Sequence, residues 1–148
     1  VIDRVRFTGS LDDVRVAYRA MNAFAFLPLY DSFGLATAEA MSCLVPVFGL
    51  DRPGEYREPE NPLVTDDNAI FVRNSTRRFY EDLEDEDILQ ALAGQIEAYG
   101  RNPSGYGAML NNASRHIEER FTRDTQAVRM VGVYQSVLAQ NSMRETLS

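Results

Sequence analysis

Apolar and polar positions along the chain follow two regimes. In the first half, short apolar runs alternate with amphipathic stretches. Val5 and Phe7 alternate with Arg4 and Arg6, the period of a short strand, and Thr8-Gly9 closes it. Ser10-Leu11-Asp12-Asp13 has the Ser-x-x-acid spacing of a helix cap, and Val14, Ala17, Tyr18 and Met21 then recur on one face. Ala23 to Leu27 is a continuous apolar run closed by Pro28, as in a strand covered on both faces. Leu35 to Cys43, rich in Ala and Met, predicts a short helix. Val45 to Phe48 predicts a strand ended by Gly49, and Ala69 to Val72 a further one. The proline- and charge-bearing stretch Arg52 to Asn61 reads as loop.

The second half keeps a helical period throughout. Ile88, Leu89, Leu92, Ile96 and Tyr99 form one stripe, and Tyr106, Met109, Leu110, Ala113 and Ile117 another. Val128, Val131, Tyr134, Val137 and Leu138 form a third. Pro103, Gly105 and Phe121-Thr122 punctuate the joins, and the Tyr and Phe residues at helical spacing are expected in the core. Strands alternating with helices imply a parallel sheet with crossover helices. The expected fold is therefore α/β, Rossmann-like, with a C-terminal helical segment.

Composition narrows the partners. A length of 148 residues suits one domain with a real core. The longest apolar stretch, Ala23 to Leu29, is too short to span a bilayer. The net charge of −7 disfavours nucleic acid or an anionic membrane as main partner, while leaving room for a small anion held by backbone amides. Cys43 is alone, so neither a disulfide framework nor a thiolate metal cluster is expected, and a reducing cytoplasm is the default location. The chain begins at Val1 rather than Met, as a fragment would.

The segment carrying chemistry runs Leu27-Pro28-Leu29-Tyr30-Asp31-Ser32-Phe33-Gly34-Leu35-Ala36-Thr37-Ala38-Glu39-Ala40-Met41-Ser42-Cys43-Leu44-Val45-Pro46-Val47. A buried strand leads into a loop with an acid, and a helix opens at Gly34-Leu35. Free N–H groups at a helix start, aided by the helix dipole, bind phosphate, and Gly34 has no Cβ to block the approach. The site would lie at the carboxyl end of a parallel strand, the usual ligand position in open α/β sheets. Glu39, four residues after Leu35, falls on the same face about 6 Å along the axis. A ribose beside a bound diphosphate would lie there, and a carboxylate accepts from two vicinal hydroxyls. Asp31 could do the same for a hexose on the other side. Acid, anion site, acid is an order that suits a nucleotide sugar.

This segment resembles the donor-binding signature of glycosyltransferase family 4 and its GT-B relatives: an acid, Phe-Gly-Leu, Glu eight positions after the first acid, Ala-Met, and a Pro-Val strand. Arg4 to Gly9 resembles the strand just upstream, and Phe121 to Leu138 the terminal helix. The resemblance is dense from Val5 to Phe48 and thins after Gly49. It implies that Asp31 contacts donor-sugar hydroxyls near the reaction centre and is the catalytic position. It implies that the backbone of Phe33, Gly34 and Leu35 approaches sugar and diphosphate, and that Glu39 holds the ribose. The implied reaction is glycosyl transfer from a nucleotide-diphosphate sugar with retention of configuration and no catalytic metal or cofactor. The whole chain, 1–148, would be part of a donor-binding domain, with 1–75 carrying the signature and 76–148 mainly helical. The acceptor would bind an N-terminal domain absent from this chain, and any peripheral membrane attachment would belong to that absent part.

Three features depart from the pattern. Asp31 stands where Glu is usual, and Leu44 where a Gly is common, so a left-handed helix end would be resisted. The family's upstream basic residues and first glycine-rich loop have no counterpart. A non-catalytic GT-B half serving as scaffold or regulatory partner is the alternative. An NAD-binding Rossmann domain is excluded because no G-x-G-x-x-G follows a strand. His116, the sole histidine, reads as surface structure, and Cys43 as a small buried residue. The acidic run Glu81 to Asp87 suits the dipole of the helix that follows better than a metal. If residues 4–8 were the third strand of the family's sheet and 23–27 the fourth, the strands between them would be missing. Exposed strand edges would then drive the fragment to pair with the missing part, to associate edge to edge with itself, or to rearrange its strand order.

Overall fold

The computed structural model describes residues 2–27, 33–51, 63–73 and 85–146. Helix α1 (Val14–Ala20) leads to strand β1 (Phe24–Phe26), helix α2 (Leu35–Ser42) and strand β2 (Val47–Asp51). Strand β3 (Ile70–Arg73) is followed by α3 (Glu86–Arg101), a 3-10 turn at Pro103–Tyr106, α4 (Gly107–Arg120) and α5 (Arg123–Thr146). The strands form one parallel sheet in the order β1-β2-β3, with Phe26 opposite Gly49 and Gly49 opposite Phe71.

Alternation along the strands divides the core in two. Phe24, Phe26, Val47 and Phe71 face a cluster built with Tyr18 of α1, Ala38, Ala40 and Met41 of α2, and Ala113 and Ile117 of α4. Phe48, Leu50, Ile70 and Val72 face the other side, where Leu92, Ile88, Ile96 and Tyr99 of α3 pack. Both faces of β2 are therefore covered, which is why Val47 to Leu50 is apolar without interruption before Asp51 ends the strand. At Gly49 an added Cβ would lie 2.7 Å from the Phe71 ring and 2.9 Å from the Phe26 carbonyl oxygen. The strand runs on through this glycine because nothing larger fits between its neighbours; it does not end there, as the sequence suggested.

The amino-terminal segment also differs from expectation. Ile2–Arg4 is a 3-10 turn, residues 5–10 form no strand, and Val5 and Phe7 are exposed. A strand is held by its ladder, and among the described residues none pairs with this segment or with the outer edge of β1. Helix α1 starts at Val14 rather than near Ser10: Asp13 is the cap, its Oδ1 accepting from the Arg15 N–H at 3.0 Å. Further on, Asp85 caps α3 by accepting from the Asp87 and Ile88 N–H groups, so the described end of the acidic run serves the helix start. Residues 81–84 of that run, and the expected loop at 52–61, lie outside the described residues.

The last helix departs most from a core element. Val128, Val131, Tyr134, Val137 and Leu138 on α5 are all exposed. The stripe is real, but no described element packs against it, so Tyr134 is not a core residue as its spacing suggested.

Candidate functional site

Helix α2 opens at the carboxyl end of β1, after residues 28–32, which lie outside the described residues and include Asp31. Gly34 is its N-cap, with φ 82° and ψ 46°, a left-handed conformation that L side chains rarely adopt. The first intrahelical bond is donated by Ala38 N–H to the Gly34 carbonyl at 3.0 Å. The N–H groups of Leu35, Ala36 and Thr37 thus have no carbonyl partner within the helix, and no side chain caps it. Of the residues expected here, Phe33, Gly34 and Leu35 form this start. Leu35 is exposed, and Glu39 follows one turn on, also exposed.

At its other end α2 finishes in a Schellman motif. Val45 N–H donates to the Ala40 carbonyl and Leu44 N–H to Met41, with Leu44 at φ 59°. The expectation that Leu44 resists a left-handed end is not met. Burial of Val45 and these two bonds outweigh the strain, while the Leu44 side chain stays half exposed.

Sequence reasoning missed three participants. The hydroxyl of Tyr18, whose ring is buried, donates to Glu39 Oε2 at 3.0 Å. Burial first, then this bond and the Glu39 charge, push the phenol up to about 12, so it is a neutral donor at physiological pH. Its place in an apolar stripe marked it as core, yet a buried tyrosine ordinarily needs a partner for its hydroxyl, and that was the available signal. The second is Thr37, whose Oγ1 is buried with no hydrogen-bond partner. It lines a small apolar recess together with Phe26, Phe33, Gly34, Leu63 and Phe71. The third is Phe121, whose ring meets Phe33 at 5.3 Å and so ties the end of α4 to the start of α2.

Two further sequence candidates take structural places. His116 is half-buried with its ring 5.5 Å from Phe121, a structural contact. Cys43 is the C-cap of α2 and a free thiol. No group of three or more metal-ligating side chains occurs among the described residues, and no described helix is long and apolar enough to cross a membrane.

Against known proteins, the family profile of glycosyl transferases group 1 matches residues 1–84, more than half of the chain. The chain belongs to this family. The matched region holds α1, all three strands and α2, and with them every site residue named above from Tyr18 to Glu39; α3 to α5 lie beyond it. The chain is 28% identical over 139 residues to the lipopolysaccharide core biosynthesis mannosyltransferase LpcC of Rhizobium leguminosarum bv. viciae, covering 94% of this chain and 35% of that protein. It also matches the structure of sucrose-phosphate synthase from Thermosynechococcus elongatus, with a TM-score of 0.68 and 23% identity. That match covers 93% of this chain and 31% of the synthase, and it shows the fold. The chain thus spans about a third of each relative, and it has the Rossmann-like fold of the C-terminal domain of GT-B group 1 glycosyl transferases.

Proposed function

We propose that the full-length protein transfers a glycosyl group from a nucleotide-diphosphate sugar, with retention of configuration, and that this chain supplies part of the donor site. The observation that carries the reading is the start of α2. Its N–H groups are unpaired within the helix behind a left-handed glycine, and a carboxylate follows one turn along. A diphosphate would accept from the N–H groups at Leu35 and its neighbours, stabilised by the dipole as negative charge builds on the leaving group. Glu39 would accept from the ribose hydroxyls, and Asp31 from hydroxyls of the sugar near the bond that breaks. These contacts position and neutralise; the chemistry asks for no metal ion, and transfer in excess chelator tests that point.

Residues 1–148 would then be one partial domain, 1–75 carrying the site and 76–148 the supporting helices. The rest of the polypeptide, with the acceptor site, would pack on the apolar side of α5 and the unpaired edge of β1. Glu39→Gln in the full-length protein should weaken donor binding by about 1–3 kcal/mol, the worth of charge-assisted bonds to hydroxyls. An unchanged dissociation constant by calorimetry would remove Glu39 from the site. The shorter acid at position 31 favours a second reading, a non-catalytic scaffold. Release of nucleoside diphosphate from a panel of nucleotide sugars by the full-length protein would refute it.

A further inference from the structure

Glu39 does not stand alone on α2. Tyr18 is the buried residue of α1, its ring edge-on to Phe24 of β1 at 6.0 Å, and its hydroxyl reaches Glu39 Oε2 at 3.0 Å. The aromatic ring is fixed by the core while the hydroxyl meets the carboxylate at the surface. A glutamate side chain has three free torsions, and an exposed one samples many rotamers. Here one oxygen is already held by a rigid donor, which narrows the rotamers open to the carboxylate and leaves Oε1 to accept. Because the phenol remains protonated, the bond persists with Glu39 ionised.

We propose that Tyr18 is a positioning residue for the donor ribose: it holds Glu39 through Oε2 so that the carboxylate is ordered before the vicinal hydroxyls arrive. This rests on the reading of Glu39 given above. The competing account is that Glu39 merely satisfies a buried tyrosine, and the two differ in what a ligand feels.

The test uses the full-length protein, titrated by calorimetry with GDP, UDP and ADP. The tightest binder is carried forward with its 2′-deoxy analogue. Tyr18→Phe keeps the ring and removes only the hydroxyl, so the packing against Phe24 is retained, and a thermal melt checks that the variant folds. The expected result is a rise in Kd of up to about tenfold, the cost of ordering one long side chain that the parent protein holds in place beforehand. That rise should shrink to about twofold with the 2′-deoxy analogue, and to about twofold in the Glu39→Gln background, because coupled residues do not add.

An unchanged Kd in Tyr18→Phe, with Glu39→Gln clearly weakened, would overturn the positioning role and leave the donor site standing. An equal loss in both backgrounds, or with both nucleotides, would also overturn it, by showing that Tyr18 acts through the packing of α1 on α2. If Glu39→Gln left binding unchanged, or no nucleotide bound, the donor reading would fail and the inference with it.

Discussion

Adding one methyl group at Gly34 tests both the geometry and the use of the α2 start. Gly34 sits at φ 82° and ψ 46°. An alanine there carries a left-handed penalty of about 1–2 kcal/mol. Its stiffer unfolded chain returns about 0.4–1 kcal/mol. The new Cβ would meet Leu63 Cδ2 at 3.1 Å. That atom ends a flexible side chain that can give way by a few tenths of an ångström, so the contact adds little to the loss. The net loss is about 1 kcal/mol, or about 2–4 °C in Tm for a domain of this size. Gly94→Ala is the control. Gly94 lies inside α3, nothing stands within 4 Å of where the new methyl would sit, and the change should stabilise by about 0.5–1 kcal/mol. Thermal melts of the full-length protein, followed by circular dichroism, read both signs. Donor titration should show Gly34→Ala losing affinity as well, because relief of the left-handed strain would shift the N–H groups at the helix start that the phosphate needs. A Gly34→Ala protein as stable as the parent would refute the left-handed helix start, and unaltered donor affinity would refute its use as the phosphate site.

Three further outcomes are expected. Leu44→Gly should stabilise by up to about 1 kcal/mol, since relief of the left-handed strain exceeds the entropy cost of glycine; a lower Tm would show that the half-exposed leucine contributes more than its strain costs. The Tyr18 phenol is raised from 10.0 to about 12 in the fold, so its contribution is complete below pH 10 and lost as pH rises through about 12. Allowing for solvent at the hydroxyl, denaturant titrations should therefore show the advantage over Tyr18→Phe falling by at most about 2 kcal/mol across that window, and parallel pH profiles would contradict the pairing. Asp31→Asn should reduce turnover more than donor affinity, because the position is assigned beside the reacting sugar; a raised KM at unchanged kcat would make it a simple binder.

Much of this was legible in the sequence because local chemistry and tertiary structure agreed there. The apolar run at Phe24–Phe26, the glycine opening Leu35–Ser42 and the stripes of Glu86–Arg101 and Gly107–Arg120 each have a partner that stabilises the pattern. Two of the misreadings fall where a partner is needed and none is present among the described residues. Val5 and Phe7 have strand spacing but no neighbouring strand, and the apolar stripe of Arg123–Thr146 has no helix against it. Leu44 shows the opposite case, in which capping bonds and Val45 burial override a local preference. At the candidate site, Glu39 and Gly34 were visible through their spacing. The Tyr18 bond was not, because it joins residues 21 positions apart across two helices, and pattern alone assigns such a tyrosine to the core.

The most direct measurement of the central claim is a crystal structure of the full-length protein with a bound nucleotide-diphosphate sugar. The account predicts diphosphate oxygens within about 3 Å of the backbone nitrogens at the start of α2, and ribose hydroxyls on Glu39 with its bond to Tyr18 kept. A donor bound with its diphosphate away from Gly34 and Leu35, or its ribose away from Glu39, would contradict it.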